Sequence, residues 1–203
     1  MNRGQPWAEL LLAWFGETLD DPSSIGERMA FWFKADPRRD GELSRRFADL
    51  VTECAAGRHY DWLQHPQGRL AMVIALDQLP RNLYRGTANA FAHDPLTAAL
   101  CMAAALTGED KQLQPVQRAF LYMPLQHFED LAGQEAGVAL YRQLADDTPE
   151  WPIFREGFLP FARQHRDIVA RFGRFPHRNR ILGRENTADE ARYLAEGAPS
   201  FGQ

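Results

Sequence analysis

Residues 163–187, RQHRDIVARFGRFPHRNRILGRENT, hold seven Arg and two His against two acids, Asp167 and Glu185. The same stretch shows how the chain is built. Phe158, Phe161, Ala162, Ile168, Val169 and Phe172 recur at helical spacing, and Gly173 offers the positive φ on which helices end. That helix should stop near Phe172. Pro176 disfavours helix at Phe175 and Gly183 breaks the chain again, so residues 174–185 are expected to be irregular. Thr187 followed by Glu190 is a capping box, which predicts a short helix over about 188–196.

The pattern of helix, breaker and new helix extends to both sides. Apolar periodicity and Pro or Gly stops predict helices over about 7–16, 24–34, 40–56, 67–79, 94–107, 115–123 and 150–172. Another should run from Pro124, where the proline ring forces a kink or fresh start, and Pro160 predicts a bend near residue 159. Asp21, Pro22 and the two serines after it should break the first helix from the second, Asp36 and Pro37 should close the second, and Trp62 with Leu63 should anchor a short turn. Asp94 is placed as an N-cap with Pro95 behind it. No alternating run of strand length occurs, so the reading is all-α, a single domain over residues 1–203 with about nine helices.

Composition narrows the function classes. The chain is 45% hydrophobic and 25% charged, with a net charge of −4, which fits a globular protein and argues against a general nucleic-acid or membrane-surface binder. No apolar run is long enough to span a bilayer, and the N-terminal apolar run is interrupted by Glu9 and lacks a cleavage site. Cys54 and Cys101 lie in Ala-rich helical contexts without metal-ligand spacing, as buried thiols of a reducing cytoplasm would. Phosphate loops, the G-x-S-x-G elbow and the H-E-x-x-H zinc helix are all missing, and no cofactor or metal is expected.

Several polar residues need partners. Asp77 falls in the last turn of the predicted fourth helix, where the helix dipole opposes a carboxylate, so a cation or donor should meet it. Arg81 and Arg85 are near in sequence, and the loop around Arg178 is the remote candidate. Arg174, Arg178, Arg180 and Arg184 repel one another unless they face water, pair with carboxylates or receive an anion. His127, Asp130 and Gln134 would share one side of the helix from Pro124, as a pocket lining or a solvated edge. His165 sits among apolar positions, as a core histidine does. Asp167 and Arg171 form an i,i+4 pair in the favourable order. The chain holds 21 Arg and two Lys, so part of the local richness is a habit of the whole sequence.

The strings LDQLPRNLYRG from Leu76 and GRFPHRNRILGRENT from Gly173, with the segment RAFLYMPLQHFEDLAGQEAGVALY, resemble bacterial domain of unknown function 924 (DUF924) over about residues 7–201. The resemblance implies antiparallel helix pairs in a tetratricopeptide-like arrangement, and no established reaction. Two positions depart from the pattern: Phe128, in Gln126-His127-Phe128-Glu129, stands where a Ser commonly follows the His, and Gln164 precedes His165 where an Arg is usual.

Three functions compete. The favoured one is a binding protein whose concave surface, lined by Asp77, Gln78, Arg81, Asn82, His127, Asp130, Gln134, His165, Arg174, His177, Arg178 and Asn179, takes a small anion or an acidic peptide on its arginines. On that reading Arg178→Ala removes binding and leaves stability nearly unchanged. The second is a hydrolase-type enzyme in which His127, His165 or His177 acts as base, Asp77 or Asp130 orients the imidazole and an arginine stabilises negative charge. The third, RNA contact by the basic loop, is disfavoured by the acidic net charge and the lack of a stacking platform. Oligomeric state is not legible.

Overall fold

The structure, a computed structural model, describes residues 4–16, 22–199 and 201. Ten α-helical segments follow one another: α1 (Ala8–Phe15), α2 (Pro22–Phe33), α3 (Pro37–Ala55), α4 (Pro66–Val73), α5 (Leu79–Leu83), α6 (Asp94–Thr107), α7 (Pro115–His127), α8 (Leu131–Asp147), α9 (Leu159–Phe172) and α10 (Ala188–Ala195). No strand occurs among the described residues. The helix between α4 and α5 is unbroken, because a π turn over Ile74–Gln78 joins them into one rod, residues 66–83. A second π turn, Phe154–Phe158, leads into α9 in the same way, so nine helical rods result among the described residues.

Both π turns come two residues before a proline. Leu79 N–H donates to Ile74 O and Leu159 N–H to Phe154 O, each over five residues, and Pro80 and Pro160 follow. A proline ring collides with the carbonyl four residues back and has no N–H to give it. Widening the turn carries the backbone past the proline without ending the helix. The expected end of the fourth helix near residue 79 is thereby corrected, and the bend expected near 159 takes the form of a π turn.

Other boundaries also shift for local reasons. Asp21 lies outside the described residues, while Pro22 and the serines open α2. Asp36 opens α3: its side chain accepts from Arg38 N at 2.9 Å with Pro37 in the first turn. Pro124 does not restart a helix, since α7 runs through it to His127. The break falls at Phe128, whose backbone is extended, and Asp130 caps α8 by accepting from Gly133 N. His127, Asp130 and Gln134 therefore do not share a helix face. The expected capping box is formed: Thr187 Oγ1 accepts from Glu190 N, and Glu190 Oε2 accepts from Thr187 N.

One continuous core runs from Trp7 to Ala162. Trp14, Phe15 and Trp32 surround Phe120 edge-on, with ring centroids 4.7–5.9 Å away, and Trp32 Nε1 donates to Trp14 O at 2.9 Å. Large side chains buried this way contribute about 1.5–3 kcal/mol each. α3 presents Leu43, Phe47, Val51 and Cys54 as a stripe, and packs on α5. Successive helices from α6 to α9 pack on their chain neighbours, and α4 lies against α6 and α7. Cys54 and Cys101 are buried free thiols, the first pushed up to about 12 by burial. No described helix is long and apolar enough to cross a membrane.

Candidate functional site

The first π turn places Asp77 inside the molecule, where its side chain has no exposed surface. An ion this buried needs its charge met. His127, at the end of α7, brings Nδ1 to 2.8 Å from Oδ1 and 3.0 Å from Oδ2. Gln78 Nε2 donates to Oδ2, and an Arg81 Nη1 lies 3.2 Å from Oδ1 while also donating to the Asp77 carbonyl at 2.7 Å. Burial alone would raise the Asp77 carboxyl, but the Arg81 and His127 groups outweigh it and hold it below the usual carboxylate range. Burial and the Arg81 charge together lower His127 below its ordinary value, so its imidazole is neutral near pH 7.

The chain of charge continues away from Asp77. Arg81 Nη2 donates to both oxygens of Asp94, at 2.9 and 3.0 Å, and Arg178 Nη1 donates to Asp94 Oδ2 at 2.9 Å. The Arg178 guanidinium lies between the rings of Phe91 and Phe175, 4.3 and 4.6 Å from their centroids. Asp94 is thus not the cap of α6; its carboxylate binds two arginines from different parts of the chain. Arg178 reaches Asp77 only through Asp94 and Arg81.

A cleft of about 350 Å³ opens on the other side of His127. Met29 and Phe33 of α2, Met123 and Gln126 of α7, Gly157 and Phe158 of the second π turn, and Phe161 and His165 of α9 form its walls, with Phe201 across it. Both π turns thus serve the same site, one carrying the acid behind His127 and the other forming part of the wall. With Nδ1 committed to Asp77, the opposite edge of the imidazole carries Nε2, for which no hydrogen bond is formed among the described residues. His165 lies 6.2 Å from His127, centroid to centroid, and its Nδ1 is within 2.8 Å of Phe161 O. Burial pushes His165 down to about 3 and His177 to about 4, so both are neutral at pH 7.

The expected site residues divide accordingly. Asp77, Gln78, Arg81, His127, His165, His177 and Arg178 gather around the acid network and its rim. Asn82 turns elsewhere, donating to Asp40 Oδ1 at 2.9 Å beside Arg85. Gln134 donates to the carbonyls of Gln126 and Phe128 at 2.7 and 2.8 Å, closing the α7–α8 corner. Arg174 grips Glu190 at 2.7 and 2.8 Å, and Asn179 donates to Asn186 and accepts from Arg184. Asp167 pairs with Arg166 at 2.7 Å, while Arg171 lies over Phe172 and Tyr193. Among the described residues no three His, Cys, Asp or Glu side chains gather as a metal-binding set.

Residues 10–198 match the family described as a bacterial protein of unknown function, DUF924. The chain belongs to this family. A solved structure of a protein of unknown function, ATU0120 from Agrobacterium tumefaciens, is 36% identical, covers 94% of this chain and 97% of its own, and superposes with a TM-score of 0.79. No curated protein matches.

In this DUF924 chain three acids and an apolar wall escaped sequence reasoning. Asp94 was explained by a cap and Glu190 by a capping box, so neither invited a search for a remote arginine. Glu129 accepts from Arg184 twice and from the Phe175 N–H at 2.7 Å, tying the Arg-rich loop to the α7–α8 corner. Met29, Phe33 and Phe158 fall at helical spacing and Met123 lies in the expected helix over 115–123, and nothing in a one-dimensional pattern separates a filled apolar face from a cleft wall.

Proposed function

We propose that the protein is an acid–base enzyme, hydrolase-like in its use of a His–carboxylate pair, acting on a small ligand with a largely apolar body. His127 is the general base, Asp77 the group that fixes its tautomer, and Arg81 with Gln78 the groups that keep Asp77 ionised. One observation carries the reading: the buried Asp77 carboxylate binds Nδ1 of an imidazole whose other edge borders an apolar cleft. A neutral imidazole with a free nitrogen can accept a proton from water or from a ligand hydroxyl. Among the described residues no guanidinium lines the cleft, so arginine acts here through Asp77 and not on the substrate.

The alternative of an anion or acidic peptide on the arginines is less well supported, because Arg81, Arg174, Arg178 and Arg184 already hold Asp94, Glu190 and Glu129. An incoming anion would have to displace a carboxylate. RNA contact by the loop meets the same obstacle. Two buried free thiols suit a reducing compartment such as the cytoplasm.

Long-range ¹H–¹⁵N NMR of the imidazoles tests the assignment. His127 is expected to be neutral at pH 7, protonated on Nδ1 and bare on Nε2. A proton on Nε2 instead would end its role as base. In a turnover screen against esters and amides, His127→Gln and Asp77→Asn should each lose about 10²–10⁴-fold of whatever activity the wild type shows.

A further inference from the structure

Phe201 does something unusual for a residue so far from the core. Its ring stacks on His165 with centroids 3.9 Å apart and planes 28° from parallel, and it meets His177 edge-on at 5.5 Å. Among the described residues it is the one non-glycine with positive φ, at 52°, a conformation that sets a bulky side chain against its own backbone. The backbone tolerates that strain and the ring lies across the cleft. Phe201 makes no part of the main core, packing only at the edge of the small cluster of Ile168, Val169 and Phe175.

The position the ring fills has the chemistry of an aryl subsite. A neutral imidazole offers a flat face for stacking, Phe161 and Phe158 supply edges, and Met29 and Met123 supply polarisable sulfur. About 350 Å³ stands open beside the Phe201 ring, which is one wall of the cleft, and a ligand that displaces the ring gains its place on His165 as well. A ring stacked on His165 also leaves its substituent within reach of His127, 6.2 Å from His165. We infer that the outer half of the cleft is a subsite for a planar aromatic group, and that Phe201 covers it in the free protein and is displaced when an aryl-bearing ligand binds.

This inference rests on the proposed function only in taking the cleft as the ligand site, and does not need His127 to act as base. Binding of 2-naphthol and of its saturated analogue decahydro-2-naphthol would be measured on the wild type, Phe201→Ala and His127→Gln. A cover that must leave lowers apparent affinity by the fraction of time it is absent, so Phe201→Ala should bind 2-naphthol about ten-fold more tightly than wild type. The saturated alcohol should gain much less. In the wild type, 2-naphthol should remove the nuclear Overhauser contact between the Phe201 and His165 ring protons, a readout independent of any variant's folding. Equal or weaker binding to Phe201→Ala, or a Phe201–His165 contact that persists at saturation, overturns the inference and leaves the His127 assignment standing. Tighter binding with unaltered turnover in His127→Gln would do the reverse. Absence of binding to every form overturns the inference and leaves the His127 assignment to its own NMR and turnover tests.

Discussion

Arg178 carries a full charge at 5% exposure, which is tolerable only because Asp94 and two aromatic faces receive it. Burial lowers its guanidinium to about 10, still protonated at neutral pH. Removing the side chain leaves Asp94 with Arg81 alone and opens a void between Phe91 and Phe175. Arg178→Ala should therefore lose about 3–5 kcal/mol of unfolding free energy, the penalty for breaking a buried pair. Urea denaturation at pH 7 would measure it. An unchanged midpoint would mean that the arginine is not buried as described and would restore the ligand-binding role the sequence suggested. Asp77 is in a similar position: Asp77→Asn removes one of the two counter-charges of Arg81 and weakens the acceptor of His127, so its effect on stability must be measured beside any effect on turnover.

At the scale of elements, the π-turn rod depends on how closely α4 approaches the 3₁₀ turn Tyr60–Gln64. Gly68 is the contact point: a methyl group there would run into the carbonyl of Trp62, which belongs to backbone and cannot swing aside. Gly68→Ala should cost about 1–3 kcal/mol, as overpacking does, while Gly26→Ala, with open space around its Cα, should be neutral or slightly stabilising. Comparing their urea midpoints separates steric exclusion from helix propensity. Helix identity was legible in the chain because apolar spacing, caps and Gly stops act within a few residues of each other. The π turns were not, since Pro80 and Pro160 read locally as terminators and only tertiary packing of the residues beyond them favours a widened turn over an end. The suspicion attached to Asp77 came from the same misplaced helix end, yet it pointed to the right carboxylate. Its distance in sequence from His127 hid which partner would meet it, and the arginines' partners, Asp94, Glu129 and Glu190, were hidden by adequate local explanations.

Across the whole molecule, neutral imidazoles gather where the Arg-rich loop closes over α7 and α9. His165, held down chiefly by burial, and His177, held down by burial and the Arg178 charge, both resist protonation in the folded state. In the unfolded chain both return to about 6.5. A folded value below the unfolded one means that the unfolded state binds more protons between the two, so stability is complete above about pH 6.5 and falls as the pH drops toward the folded values. His165 alone should account for about 2 kcal/mol between pH 6.5 and 5, and His177, which keeps some solvent contact, for less. The urea midpoint is therefore expected to decline from pH 7 to 5, well above the range in which carboxylates titrate, and His165→Gln should flatten about half of that slope. A midpoint constant down to pH 5 in the wild type would show that these imidazoles are solvated, and a slope unaltered by His165→Gln would place the proton uptake elsewhere. The same titration bears on the cleft, because a charged His165 would lose its stacking partner's preference for a neutral face and gain one for a cation–π contact, while its repulsion of a protonated His127, 6.2 Å away, would further lower the base.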